Sequence, residues 1–338
     1  MSLRAEARVR LAERERVVAT VMAFGERTIR EPRHRAMVAA AVEFDRNELP
    51  AMLTIGGDLA PVVYAAASGI MTERVDLAAL TYVLWVAFDV LDDIADGDAA
   101  AKWPQFGSAE LGVMATSLIA ATAHELAATL DDDAGVRARL HLLIARGLRE
   151  MADGQIADLA DTGRDDVTLD CVAAAVRGKT GAECALFAGL GATLANVAPE
   201  RVAAFEAFGT EYGIANQYVT DLLELFGDDV CRDVTNGTRT FPIVAHLARL
   251  AGEERAAFLR LLDGARRDPV AASAVRATIG ASPALRATVF QILVHLNRAR
   301  AALRLAQPSD EAAPLLEQFL VDLDPTVADG SGRGARVR

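Results

Sequence analysis

Four carboxylates, Asp89, Asp92, Asp93 and Asp96, stand among Leu84, Trp85, Val86, Phe88, Val90, Leu91 and Ile94, in a stretch free of glycine and proline until Gly97. At 3.6 residues per turn these positions follow i, i+3, i+4, i+7 and share one helical face. Like charges on an apolar helix repel one another and resist burial unless something cationic compensates them. Hard divalent cations with oxygen ligands do so, and Mg²⁺ commonly brings a phosphorylated substrate with it. The alternative is a solvated acidic helix end before a loop. A second oxygen-bearing stripe is formed by Asn216, Thr220 and Glu224 at i, i+4, i+8, with Asp221 beside them. An amide, a hydroxyl and a carboxylate suit a hard ion at low site charge. The alternative there is an ordinary polar face, with Leu222, Leu223 and Leu225 on the core side.

Helices must position both stripes. The 338-residue chain is 52% hydrophobic and only 5% aromatic. It is rich in alanine and almost lacks β-branched alternation, so an all-α fold is expected. The first stripe belongs to a helix over Thr72–Ala95, closed by Gly97, and the second to a helix over Arg201–Gly227. Before them, a charged helix is expected in residues 1–30, another over Arg35–Phe44, and a turn at Asn47–Pro50 leading into Ala51–Ile55. Gly56-Gly57 should then break the chain, with Asp58 capping a helix that carries Pro61 in its first turn and ends at Ser68. Residues 97–108 read as a loop able to act as a flap. Glu110–Leu130 and Ala134–Ala160 read as long helices, with Asp131-Asp132-Asp133 capping the second rather than binding metal. A helix opening at Val167-Thr168-Leu169-Asp170 carries Arg177-Gly178-Lys179-Thr180-Gly181 and reaches Asn196. After a polar stretch over 228–240, helices are expected from Phe241 to Leu250, between Glu253 and Gln307, and over Asp310–Leu323. The expected organisation is an N-terminal helix (1–30), one α-domain (31–323) and a disordered tail (324–338).

A formal charge of −12 argues against a nucleic-acid partner. Diphosphate binding stays compatible with it where bound metal reverses the local sign. Cys171, Cys184 and Cys231 are widely spaced without metal-type histidine spacing, and read as small buried residues in a reducing compartment. No apolar run reaches the length of a membrane span, and a cytoplasmic location is expected.

Asp92-Asp93-Ile94-Ala95-Asp96 resembles the first aspartate-rich motif of the trans-polyprenyl diphosphate synthases and class I terpene synthases. The second stripe resembles the later motif of the same superfamily: Gln217, Thr220-Asp221-Leu222-Leu223-Glu224, then Asp228, Asp233, Asn236-Gly237-Thr238-Arg239 and Thr240-Phe241-Pro242. Gly154-Gln155, Asp158, Val167-Thr168-Leu169 and Lys179-Thr180-Gly181 are similar to the family as well, and the likeness spans roughly residues 75–250. Departures accompany it. Thr220 stands for the first aspartate of the later motif, Glu224 for its last, and Thr238 for a loop lysine. Gly56-Gly57 is followed by Asp58-Leu59-Ala60-Pro61 rather than the cations that hold isopentenyl diphosphate. Ala101-Lys102 stands where the elongating enzymes carry two arginines.

The resemblance implies a class I isoprenoid synthase bundle of helices around an apolar cavity. Asp92 and Asp96, with Asn216, Thr220 and Glu224 and the neighbouring Asp221, would hold three Mg²⁺ ions on an allylic diphosphate. Asp93 would orient cations. Lys179, helped by Arg177 and Arg239, would neutralise the departing diphosphate, with Gln217 also on the substrate. Trp85, Phe88 and Tyr218 would line the prenyl chain and its cation, unless they are core. Phe88 lies one turn before Asp92 and would floor the pocket, or else pack outward. With acceptor cations missing, the expected activity is terpene cyclisation. The alternative is a prenyltransferase, acting by chain elongation or on a non-diphosphate acceptor. A non-catalytic subunit is the third reading, and a homodimer is the expected assembly.

Overall fold

Alanine and leucine dominate the helical segments, and helices are all that forms among the described residues: the computed structural model, which describes residues 3–48, 55–227 and 232–326, has no strand there. The turn expected through Pro50, the Ala51–Ile55 segment before Ile55, residues 228–231 with Asp228 and Cys231, and the tail from residue 327 onward lie outside the described residues. The chain divides into two compact units.

The first unit comprises residues 1–145, 187–205 and 306–316. Its central element is the Val75–Asp96 helix, whose Leu77, Leu80 and Leu84 are fully buried. Asp76 lies in the first turn, and Arg74 forms a bidentate pair with it at 2.8 and 2.7 Å. Gly97 ends the helix at φ 85°, a left-handed cap that favours glycine, and its N–H bonds the Asp93 carbonyl. The neighbouring helix differs from expectation. It starts at Ile55 and runs through Gly56-Gly57 to Ser68 rather than breaking there. Gly56 is needed for packing: a Cβ on it would fall 2.8 Å from Trp85 Cβ and Cγ. The expected 97–108 loop also contains a single helical turn, Ala99–Lys102. The long helix expected over Glu110–Leu130 is instead three pieces: Ser108–Ser117, a π-helical turn Leu118–Thr122, and Ala123–Ala127. Asp133 caps the next helix as its position suggests, accepting from Gly135 N–H at 2.7 Å and Val136 N–H at 3.0 Å.

The second unit comprises residues 146–186, 206–305 and 317–338. Its apolar core joins Leu225, Val234, Ile243, Leu247, Phe258 and Leu262 with Val275 and Ile279. Three helical segments cross here through glycines. A Cβ on Gly154 would lie 2.2 Å from the Gly178 carbonyl carbon, and one on Gly213 would lie 2.3 Å from the Thr180 oxygen. Gly209 meets the Cys184 oxygen at the same 2.3 Å. The backbones touch, so polar residues one turn further along are brought together. Between these crossings the chain makes a second π-helical turn, Arg177–Gly181. Such turns re-aim side chains and recur at functional sites.

No single helix among the described residues is long and apolar enough to cross a membrane. Pro269–Gly280 with Pro283–Ala306 meets the length and composition only as a pair bent by 67°.

Candidate functional site

In the first unit the aspartate helix presents its carboxylates in its last turns, where the helix dipole is already negative and acidic groups are least welcome. Asp93 is buried, Asp89 and Asp92 are half-buried, and Asp96 is exposed. Burial, and then the charge of Asp89, push the Asp93 carboxyl up to about 7 despite the opposing Lys102. Lys102 Nζ lies 2.6 Å from Asp93 Oδ2 and 3.6 Å from Asp89 Oδ2. In the sequence Lys102 stands only as a departure from the arginine pair of the elongating enzymes. The single turn Ala99–Lys102 that aims it back at Asp93 has no sequence signal longer than four residues.

The second unit holds the other stripe, in the last turns of the Pro199–Phe226 helix. Gln217 bridges two segments: its Oε1 accepts from Thr180 Oγ1 at 2.6 Å, and its Nε2 donates to Asp221 Oδ1 at 2.9 Å. The glycine crossings explain that register. Gly209, Gly213, Gln217 and Asp221 lie four residues apart on one face, and Thr180 sits where Gly213 lets the backbones meet. Across the Gly154–Gly178 contact, Lys179 Nζ comes 3.7 Å from Asp158 Oδ2. Asn216 and Glu224 are half-buried and Thr220 is exposed. Arg232 Nε stands 3.9 Å from Glu224 Oε1.

Asp221 is only 3% exposed. Burial, then the charges of Asp158 and Glu224, raise its carboxyl to about 7 against the hydrogen bond from Gln217. Its folded pKa therefore exceeds the unfolded value of about 3.9. Its contribution to stability is full below that value and is lost as pH rises through about 7. Relative to Asp221→Asn, the metal-free protein should lose melting temperature between about pH 4 and about pH 8. Melting curves across this range that are superimposable for the two proteins would contradict the assignment.

Four other expected residues, Arg239, Tyr218, Trp85 and Arg177, have structural partners. Arg239 is buried, and its Nε donates to the Arg164 carbonyl at 2.7 Å and its Nη1 to the Gly237 carbonyl at 3.3 Å. It thereby ties together the turns at 161–166 and 237–240. Tyr218 is 1% exposed and packs against Phe241 and His295, with ring centroids 4.9 and 5.8 Å away. Trp85 covers Gly56 and stacks with Tyr82 at 6.4 Å. Phe88 is half-buried. Arg177 Nη2 lies 3.4 Å from Glu211 Oε1, whose other oxygen is 2.6 Å from His295 Nδ1. That Arg177–Glu211–His295 chain spans residues too far apart in sequence to be read as a motif.

The donors fit a hard cation. Both stripes offer only oxygen, and two buried carboxyls, Asp93 and Asp221, are held near about 7 by crowding and burial. Among the described residues no three His, Cys, Asp or Glu side chains converge closely enough to cage a metal alone. Asp92 and Asp96, four residues apart on one helix, offer the one or two carboxylates through which Mg²⁺ commonly binds before water and substrate phosphate complete its shell.

Comparison with known proteins agrees with the fold and the motifs. The sequence matches the profile of the Polyprenyl synthetase family over residues 59–279, a span that includes both stripes. It is 31% identical over 202 residues to a geranylgeranyl diphosphate synthase of Mycobacterium tuberculosis, covering 56% of this chain and 57% of that one. The chain thus spans little more than half the length of that curated relative. A decaprenyl diphosphate synthase from Rhodobacter capsulatus superposes with a TM-score of 0.77 at 21% identity, over 96% of this chain and 99% of that chain. A polyprenyl synthase from Caulobacter crescentus CB15, complexed with calcium and isoprenyl diphosphate, superposes with a TM-score of 0.71 at 21% identity, over 94% of each chain. The fold is the all-helical polyprenyl synthase fold.

Proposed function

Because the chain belongs to the polyprenyl synthetase family, we propose that it is a Mg²⁺-dependent prenyltransferase. It ionises an allylic prenyl diphosphate and joins the prenyl group to a second isoprenoid diphosphate. The observation that carries this reading is the carboxylate-dense end of the Val75–Asp96 helix within the family match. The relatives carry prenyl diphosphate synthase names, which reverses the order of the outcomes expected from sequence, where cyclisation stood first. A fold neighbour complexed with calcium and isoprenyl diphosphate supports the pairing of a divalent ion with this class of ligand.

When bound, Mg²⁺ supplies Lewis acidity toward the diphosphate as the carbon–oxygen bond breaks. Within the first unit Asp92 and Asp96 are the candidate metal ligands of the Val75–Asp96 helix, and within the second Asn216, Thr220 and Glu224 with Asp221 are those of the Pro199–Phe226 helix. Asp93 is buried and paired with Lys102, so it orients that cation rather than facing solvent. Lys179 presents an ammonium 3.7 Å from Asp158 Oδ2, and it would take up charge on the departing diphosphate. Gln217 donates a hydrogen bond to Asp221 and itself accepts one from Thr180. Phe88, one turn before Asp92, is the residue of the first helix best placed by sequence to meet the prenyl chain.

Cyclisation, or transfer to an acceptor without a diphosphate, remains the second reading on one specific observation. Gly56 lies under Trp85, and Gly57 is followed by Asp58 rather than a cation. Product analysis separates the two readings. Purified protein with Mg²⁺ and geranyl, farnesyl or geranylgeranyl diphosphate, given isopentenyl diphosphate, should yield a diphosphate longer by one isoprene unit. Hydrocarbon or alcohol formed equally well without the second substrate would overturn elongation in favour of cyclisation.

A further inference from the structure

We propose that Lys102 is a resident cation of the aspartate helix, a positioning residue that divides its acidic face into two stripes. Asp89 and Asp93 are four residues apart and form one stripe, and the Lys102 ammonium lies 3.6 and 2.6 Å from them. Asp92 and Asp96, also four apart, form the adjacent stripe, to which the divalent ion is assigned; to that extent the inference rests on the proposed metal chemistry.

The chain builds this arrangement at short range. The Asp93 carbonyl accepts from Gly97 N–H and from Asp98 N–H at 2.8 Å, so the chain reverses directly over the helix end. Lys102 N–H bonds the Asp98 carbonyl at 3.2 Å, and Trp103 N–H bonds that of Ala99 at 2.9 Å, which closes the single turn. Trp103 is buried, with its ring edge-on to Phe44 at 5.5 Å. The ammonium sits 5.4 Å from the Phe44 ring centre and 5.8 Å from that of Trp103. Two aromatic faces and two carboxylates therefore fix one amine, which is largely buried.

The electrostatic consequence follows from the position. The last turns of a helix carry partial negative charge, and the four aspartates add to it. An ammonium there stabilises the metal-free fold and weakens the field that draws divalent ions. The helix accordingly takes up metal less avidly than its four carboxylates alone would, and uptake is confined to the Asp92–Asp96 stripe.

Mn²⁺ binding to metal-free protein, read from the free-ion signal in electron paramagnetic resonance, tests this alongside thermal melting. Lys102→Met and Lys102→Gln should each bind Mn²⁺ at least about fivefold more tightly than wild type and melt at lower temperature without metal. Lys102→Arg should stay near wild type in both. Lower melting with unchanged Mn²⁺ affinity in both neutral variants, while Asp92→Ala abolishes wild-type binding, would reduce Lys102 to packing and overturn the inference alone. Wild-type Mn²⁺ binding that is absent, or indifferent to Asp92→Ala, would overturn the metal assignment and the inference with it.

Discussion

Asp92→Ala and Asp96→Ala are each expected to lower turnover at least about a hundredfold while the helical circular dichroism of the folded protein is kept. The two effects separate because of where these residues stand. Asp92 is half-buried and Asp96 exposed, so neither removal opens a cavity. Both lie in the last turns of the Val75–Asp96 helix. There a carboxylate opposes the dipole, and alanine is the better helix former. Losing one carboxylate also relieves repulsion among the four. What disappears is one of two oxygen donors at i, i+4 on the stripe assigned to Mg²⁺. Steady-state rates with saturating Mg²⁺ and allylic diphosphate, beside circular dichroism spectra, give both readouts. A variant retaining more than about a tenth of the wild-type rate would remove this helix from the chemistry.

The aspartate helix was legible because its signal is local: a long apolar run, a fixed carboxylate spacing and a glycine stop fall within one stretch. Asp133 as a cap and Asn216, Thr220 and Glu224 as one stripe were legible for the same reason. Features made by two segments meeting were not. Gly56-Gly57 reads as a break until Trp85 is found lying on Gly56, which turns the same glycines into a helix contact. The two π-helical turns divide runs that look uniformly helical in sequence. Arg239 reads as a substrate cation because its guanidinium lies in a motif, yet its hydrogen bonds run to the Arg164 and Gly237 carbonyls. The Thr180–Gln217–Asp221 chain depends on glycines at 209 and 213 that only a crossing helix makes meaningful. Their four-residue spacing, continued by Gln217 and Asp221, was the available signal.

One substitution made at two glycines should give opposite results. Gly154→Ala is expected to destabilise the protein by about 2 kcal/mol or more, net of the roughly 1 kcal/mol that alanine gains in helix propensity. The new Cβ would sit 2.2 Å from the Gly178 carbonyl carbon, 2.5 Å from Lys179 N and 2.6 Å from Gly178 O. All three are backbone atoms, so no side-chain rotation relieves the overlap, and the crossing segments must move apart. That displacement also pulls Lys179 from Asp158, now 3.7 Å away, so turnover should fall along with stability. Gly112→Ala, in the Ser108–Ser117 helix, meets only Ile94 Cδ1 at 3.9 Å, an ordinary contact. There the helix-propensity gain acts unopposed, and stability should rise by up to about 1 kcal/mol. Urea unfolding of the two variants beside wild type measures both signs. A Gly154→Ala variant as stable as wild type would mean that the backbones do not touch at this crossing, and the register argued for Lys179, Thr180 and Gln217 would lose its cause.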